Sequence, residues 1–218
     1  MKISNNKNFK VVKLYLVAGI ICISTSYSWA QSTTEKNFKL GFTTSPTFGW
    51  INYESGSNTK SDGLRPGFSY GVLADFGFSN NYFFSTGLTL TTVNANTKTT
   101  VPTNSTSALK IQYVELPISL KLKSNEKSNN IFYGQFGLTT GIKTGAKRAL
   151  ENQDDVDISK EVNLFRLGLI IGGGSEYRIG QNLKLLTGIS YNNGFTDVFD
   201  TNVKAKNSYL TLNVGVFF

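Results

Sequence analysis

Eight charged side chains fall on one parity of the chain's alternating segments, where they could meet inside a closed β-sheet. They are Asp75, Glu115, Lys121, Lys143, Arg166, Glu176, Arg178 and Lys184. Carboxylates and cations brought together can form ion pairs or line a path for protons or ions. The strand directions predict an ion pair between Glu115 and either Arg166 or Lys143, with most of the other charges nearer the opposite end. Structural pairing is the favoured interpretation, because a narrow barrel is filled by its own side chains.

The residue types that the commonest enzyme chemistry needs are missing. The chain has no histidine, which excludes Ser-His hydrolases, most zinc sites and the most frequent general base. The acidic stretch 154–157 lacks the spacing of a calcium loop, and the glycines at 172–174 lack the dinucleotide fingerprint. The sequence therefore predicts a non-enzymatic protein without catalytic, cofactor-binding or metal-binding residues.

The segments that carry the charges have the composition and length of β-strands. Runs rich in aromatic and β-branched residues are separated by polar stretches that favour turns. Each run reaches the roughly 9–11 residues that a tilted strand needs to cross a bilayer. The eight predicted strands span residues 38–50, 67–78, 82–94, 109–122, 131–143, 162–178, 183–194 and 207–218.

Within these strands, large apolar residues alternate with small, polar or charged ones. The second strand, for example, places Ser69 and Gly71 between Phe68, Tyr70 and Val72. An apolar face opposite a polar face is typical of a membrane barrel with lipid outside and a polar lumen. A soluble periplasmic barrel that binds a small apolar ligand would show the same alternation with the apolar face turned inward, and this alternative stays open.

The connections between the predicted strands alternate in length. Short polar turns at 79–81, 123–130 and 180–182 are interspersed with longer stretches at 51–66, 95–108, 144–161 and 195–206. Short periplasmic turns and long external loops are typical of outer-membrane barrels. The sequence therefore predicts an all-β protein, an eight-stranded antiparallel up-and-down transmembrane β-barrel.

The first 30 residues have the plan of a secretory signal peptide. Basic residues precede an apolar run from Leu14 to Ile23, and the small residues Ser28 and Ala30 occupy the positions expected before a cleavage site. Ten residues of helix span about 15 Å, which is half the thickness of a bilayer core. We therefore expect residues 1–30 to be a cleaved signal peptide and residues 31–218 to form the barrel domain in the outer membrane.

The net charge of residues 31–218 says little about which partners the protein binds. Without the four lysines of the signal segment, 18 basic residues face 14 acidic ones, and the excess is spread along the chain. A diffuse excess of this size does not indicate nucleic-acid binding. The expected partners are outer-membrane lipid, and envelope or secretion proteins that contact the external loops.

One stretch of the predicted fourth strand resembles a known family. Residues Tyr113–Lys121 (YVELPISLK) resemble a signature of the PorT-like family of small outer-membrane β-barrels, and Val216–Phe218 resembles the terminal aromatic signal of such barrels. The resemblance implies an outer-membrane barrel and, as one alternative, an accessory role in protein secretion. The main expectation is a structural or loop-mediated role in the envelope. Because proline cannot donate to a strand ladder, Pro117 also predicts a local bulge or kink in the fourth strand.

Overall fold

The computed structural model describes residues 38–100, 105–124, 129–150, 155–200 and 204–218. The predicted signal peptide and its cleavage site lie outside the described residues. Across these five ranges, no helix has the length and apolar character required to cross a bilayer.

Nine β-strands follow one another along the described part of the chain. They are β1 (Phe38–Tyr53), β2 (Thr59–Ser79), β3 (Tyr82–Thr99), β4 (Ser105–Lys123), β5 (Asn130–Leu150), β6 (Val156–Asp157), β7 (Phe165–Arg178), β8 (Lys184–Gly194) and β9 (Ala205–Phe217).

Eight of these strands close into a ring. The two-residue β6 pairs only with β5. Each of the other eight strands pairs with two neighbours in the ring, and β9 returns to β1. All the pairings are antiparallel. Closure satisfies the backbone of each strand within the bilayer, where water is absent. The predicted eight-stranded antiparallel barrel is confirmed.

The apolar parity of the strands faces outward. Phe68 and Tyr70 are 47% and 52% exposed, whereas Ser69 between them is 8% exposed. The same split recurs on β4, where Ile118 is exposed and Ser119 is buried. Lipid is the solvent that makes such a surface stable. This orientation is opposite to the one that the soluble alternative with an apolar lumen requires.

Aromatic side chains mark both ends of the apolar surface. Trp50 on β1 stacks on Tyr191 of β8 with ring centroids 5.9 Å apart, near the external end. Phe78 and Tyr82 flank the short β2–β3 turn with centroids 6.2 Å apart, at the periplasmic end. Amphipathic rings of this kind favour the headgroup regions of a bilayer.

Strands β2 to β5 run further outward than the sequence predicts. They contain 21, 18, 19 and 21 residues, whereas β7, β8 and β9 contain 14, 11 and 13. Residues that the sequence assigns to loops are paired here. Their outward positions carry polar side chains such as Lys110, while inward residues such as Ala95 and Leu109 are buried. We call the paired residues 59–65, 94–99, 105–110 and 146–150 the upper sheet.

Of the bulge or kink predicted at Pro117, the bulge is wrong. The β4–β5 register runs unbroken from Tyr113 past Pro117, which lies opposite Thr139. On the β3 side the register is also constant, but the ladder pairs of Leu116 and Pro117 are missing. Because proline has no N–H, hydrogen bonds are lost from the ladder at this point, but no extra residue is inserted into the strand. The bulge of β4 and β5 lies instead between Gln112 and Tyr113.

Candidate functional site

The outer half of the barrel interior contains an ion pair between Glu115 on β4 and Arg166 on β7. Arg166 Nη1 lies 3.1 Å from Glu115 Oε1, and both side chains are buried. Arg166 Nε donates to Asn207 Oδ1 at 2.7 Å, and Nη2 donates to Asn192 Oδ1 at 2.6 Å. Tyr209 Oη donates to Glu115 Oε2 at 2.7 Å. The planar guanidinium is thus held in one orientation by partners on several strands. We call these five residues the outer ion network.

Aromatic rings and a glycine shape the space around this network. The Arg166 guanidinium carbon lies 5.1 Å from the ring centroid of Tyr209 and 5.8 Å from that of Tyr113, within the range of cation–π attraction. A Cβ at Gly141 would lie 3.2 Å from Glu115 Cγ. The glycine therefore leaves the room that the glutamate side chain needs.

A second buried cluster lies nearer the periplasmic end. Lys121 and Lys123 each place Nζ 2.9 Å from Asp75 Oδ2, and Ser85 Oγ donates to Asp75 Oδ1 at 2.6 Å. Glu176 Oε1 lies 2.6 Å from Lys123 Nζ and 4.0 Å from Lys121 Nζ. Two carboxylates and two ammonium groups thus compensate one another at a depth where single charges would be costly. We call the four charged residues the inner ion cluster.

The two carboxylates of the inner ion cluster are satisfied to different degrees. Asp75 accepts hydrogen bonds from three side chains at both of its oxygens. Glu176 contacts the lysines through its Oε1, and neither of its oxygens has a hydrogen-bond partner among the residues that the structure describes. Asp75 is therefore the better-anchored acid of the pair.

Aromatic faces close the inner ion cluster from the periplasmic side. Lys121 Nζ lies 5.0 Å from the ring centroid of Phe217 and 5.1 Å from that of Tyr133, while Lys123 Nζ lies 4.4 Å from that of Phe83. The negative faces of these rings replace part of the hydration that the ammonium groups lose. The penultimate residue of the chain thus packs inward beneath the lysines.

A small polar cavity lies between the two charged layers. Its volume is about 90 Å³, and its walls include the hydroxyls of Ser45, Ser69 and Thr91, with Glu115 and Lys121 also contributing. A cavity of this size and polarity can hold a few water molecules. The lumen is therefore polar in its middle, as the alternation predicts.

The external end of the lumen is filled by an apolar plug. Ile158 and Val162 from the β6–β7 connection pack with Val198 and Phe199 from the β8–β9 connection. These side chains join an apolar cluster from the upper barrel wall, and Val162 forms an isolated antiparallel bridge with Phe199. Sequence analysis missed the plug, because isolated apolar residues in a long polar connection do not show an alternating pattern.

Lys143 belongs to the plug and not to the outer ion network. Its Nζ donates to the backbone carbonyls of Ser159 and Val162. Of the two cations expected to pair with Glu115, only Arg166 does so. The register shift beside Tyr113 accompanies this placement, since Lys143 lies directly opposite that residue.

Arg178 and Lys184 lie at the periplasmic end of the barrel. They face each other across β7 and β8 as the last and first residues of those strands. Arg178 is exposed and Lys184 is half-buried, whereas Glu176 is fully buried, so both cations lie nearer the rim than Glu176 does. The alternation predicts which face of the strand Arg178 and Lys184 occupy. It does not predict how far from the rim of the barrel they lie, and residues at a strand end can reach water.

The buried residue that sequence analysis missed is Lys123. It is assigned to a turn in the sequence, but it is the last residue of β4 and is 4% exposed. A signal was present, because Lys121 and Lys123 share one parity. The neutral partners Asn192 and Asn207 also lie on the inward parity, but nothing in their own type marks them as ligands of an arginine.

In the outer ion network and the inner ion cluster, the buried acids and cations neutralise one another. Among the residues that the structure describes, no three His, Cys, Asp or Glu side chains gather closely enough to hold a metal ion. The buried carboxylates are engaged by lysine, arginine, serine and tyrosine. Such groups stabilise the packing of a lumen.

The family model described as "outer membrane protein beta-barrel domain" matches residues 29–200. No curated protein matches the chain.

Several solved structures are similar to the chain. Neisserial surface protein A (NspA) is 16% identical, with 83% of this chain and 96% of that one covered and a TM-score of 0.48. OprG from Pseudomonas aeruginosa is 12% identical, with 83% and 93% covered and a TM-score of 0.46. Ail of Yersinia pestis is 14% identical, with 84% and 99% covered and a TM-score of 0.43.

Proposed function

Because the chain belongs to the family of outer membrane protein β-barrel domains, we propose that it is a non-enzymatic envelope protein with a packed lumen. In this proposal the barrel is a rigid carrier for its external end, which makes the contacts in the envelope. The observation that supports it is the filling of the interior by the plug, the outer ion network and the inner ion cluster. Binding usually resides on loops that a rigid scaffold positions.

The packing of the interior argues against a transport path. A solute that entered from outside would first meet the plug, which Lys143 ties to the barrel wall through two backbone carbonyls. It would then have to separate Glu115 from Arg166, which leaves a buried charge unpaired. Water-filled channels belong to barrels with many more strands, roughly 16 or more.

The proposal is tested by cell fractionation and by conductance. We expect the protein in the outer-membrane fraction, with different gel migration before and after boiling. We also expect no resolvable ion current when the purified barrel is inserted into a planar bilayer. Steady current from single barrels would contradict a packed lumen, and recovery from the soluble periplasm without a gel shift would contradict the membrane barrel itself.

We also propose that residues 1–30 are removed during export. The support is the order of basic, apolar and small residues that ends at Ala30. N-terminal sequencing of the outer-membrane protein should begin at Gln31. An Ala30→Arg variant should accumulate uncleaved, and a wild-type protein that retains Lys2 would contradict the proposal.

The proposal does not extend to an accessory role in secretion. That role rests on the resemblance of Tyr113–Lys121 to the PorT-like family, whereas the matching family model describes outer-membrane barrel domains in general. In the structure, Glu115 lies inside the barrel and Leu116 and Ile118 face outward. The stretch is thus occupied by contacts of the barrel, and none of its outward residues rises to the external loops.

A further inference from the structure

We propose that the outward face of the upper sheet binds the phosphate groups of an outer-leaflet lipid through Arg65, Lys110 and Lys147. The inference goes beyond the proposed function, since it requires only that the barrel spans the membrane. It rests on the register of the strands, on the height of the three cations above the apolar surface, and on the balance of charge around them.

The register brings the cations together on neighbouring strands. Lys110 of β4 lies directly opposite Lys147 of β5, and Asn94 of β3 lies opposite Lys110 on its other side. Arg65 of β2 donates from Nη1 to Asn96 Oδ1 at 2.9 Å. Arg65, Asn94, Lys110 and Lys147 line one recess of about 220 Å³. The recess therefore presents three cations and an amide from four strands.

Like charges directly opposite each other destabilise a sheet unless an anion lies between them. Lys110 and Lys147 form one such pair, and Lys60 and Lys98 form a second pair higher in the same sheet. Among the described residues, neither Lys110 nor Lys147 forms an ion pair. A bound phosphate would supply the negative charge that this arrangement lacks.

The recess lies at the depth of the lipid headgroups. Val114 lies four residues below Lys110 along β4. It pairs with Leu90 and Ile142 in a row of outward apolar side chains. Four residues correspond to about 13 Å along a strand, or about 9 Å of height at a tilt near 45°. Gln112 lies between the two levels. Long basic side chains at this height can reach phosphates of the adjacent leaflet.

The charge around the recess leaves a cationic excess. Asp155 also lines it, and Asp157 lies opposite Lys147 across β5 and β6. The Asp157 carboxylate already accepts a hydrogen bond from the backbone N–H of Ser159 at 2.7 Å. Among the residues that the structure describes, two acids thus face three cations, which leaves an excess of one positive charge.

The opposite wall of the barrel provides an internal control. There Lys204 and Lys206 line a recess together with Glu54 and Asp197, so cations and acids are balanced. Both lysines are exposed. A Lys204→Gln/Lys206→Gln variant therefore removes the same charge as Lys110→Gln/Lys147→Gln, but from a site that we do not expect to bind phosphate.

The test is lipid binding by the full-length barrel, purified from membranes in a neutral detergent. Lipid A is the probe, and native mass spectrometry counts the molecules bound per barrel. We expect wild type and the Lys204→Gln/Lys206→Gln control to retain lipid A, and Lys110→Gln/Lys147→Gln to bind it about tenfold or more weakly. Arg65→Gln should weaken binding by a smaller factor, since it removes one charge.

Three outcomes would overturn the proposal. Equal loss of lipid A from both double variants would show that net charge, and not this recess, governs binding. Equal binding of dephosphorylated lipid A would exclude phosphate recognition. Complete displacement by millimolar inorganic phosphate would assign the recess to free anions. Each variant must keep its heat-dependent gel shift, and loss of that shift in wild type would refute the membrane barrel independently of the lipid result.

Discussion

The outer ion network and the inner ion cluster place charge in the same narrow lumen by different means. The outer network has one ion pair, and amide and phenol groups satisfy the rest of both ions. The inner cluster has four ions, and within the described part of the chain Ser85 is the one neutral side chain that donates a hydrogen bond to them. Its stability depends on the mutual compensation of charges.

The difference follows from the chemistry of arginine and lysine. Arg166 presents a rigid fork whose donors must each meet an acceptor in a set direction, so Asn192 and Asn207 are required around it. Lys121 and Lys123 are flexible point charges that can shift between Asp75 and Glu176. We therefore expect the outer network to tolerate substitution poorly and the inner cluster to redistribute its contacts.

The largest expected effect is that of Arg166→Leu. It leaves Glu115 buried without its cation, and removing one partner of a buried ion pair costs about 3–5 kcal/mol of unfolding free energy. The measurement is urea unfolding of the barrel in lipid vesicles, followed by gel shift and by Trp50 fluorescence. The double variant Glu115→Gln/Arg166→Leu should recover part of the loss, and a double variant as unstable as the single one would contradict this account.

Arg166→Lys should have an intermediate effect that separates charge from geometry. It keeps the ion pair within reach but removes the fork that two asparagines hold, so we expect a loss of about 1.5–3 kcal/mol. The same vesicle unfolding assay applies. A lysine variant with wild-type stability would show that the fork is not needed and would remove the distinction between the two regions.

Asp75→Asn should destabilise the barrel by about 2–3 kcal/mol. The substitution removes the acid that both lysines contact at 2.9 Å, but Glu176 remains to compensate part of their charge. Glu176→Gln is the matched comparison. It should cost less, about 1 kcal/mol, because that carboxylate has an oxygen without a donor among the described residues. A reversed order would contradict the assignment of Asp75 as the anchor.

Asp157→Asn should have the smallest effect. The pKa of this external carboxyl lies below its ordinary value, because the backbone N–H of Ser159 and then its side chain donate to it. A depressed pKa contributes stability above the pKa of the unfolded chain, and this contribution disappears as the pH falls through the folded value. Since Asp157 is fully exposed, water screens this contribution, and wild type and variant should unfold at nearly the same urea concentration at pH 7. A clear difference in the unfolding midpoint would show that Asp157 contributes to the stability of the barrel, as the residues of the inner ion cluster do.

The sequence predicts the fold well because the relevant signals are local. Alternation along each strand depends only on neighbouring residues, so the outward position of Phe68 and the inward position of Ser69 follow from parity alone. Strand ends are harder to predict. Lys98 and Lys110 lie in paired strands beyond the apolar surface. The outward positions there are polar and the buried inward positions include both Ala95 and Thr97, so the alternation of apolar and polar residues is weak.

The sequence by itself determined the strand number, the face that meets lipid and the parity of the buried charges. Only the tertiary structure decided which charges meet. Glu115 and Arg166 lie on different strands and 51 positions apart, and their distance depends on ring closure, register and the depth of each residue. The same causes bring Lys123 into the lumen, tie Lys143 to the plug and place Lys110 opposite Lys147. Parity is a property of one strand, whereas pairing is a property of the closed sheet.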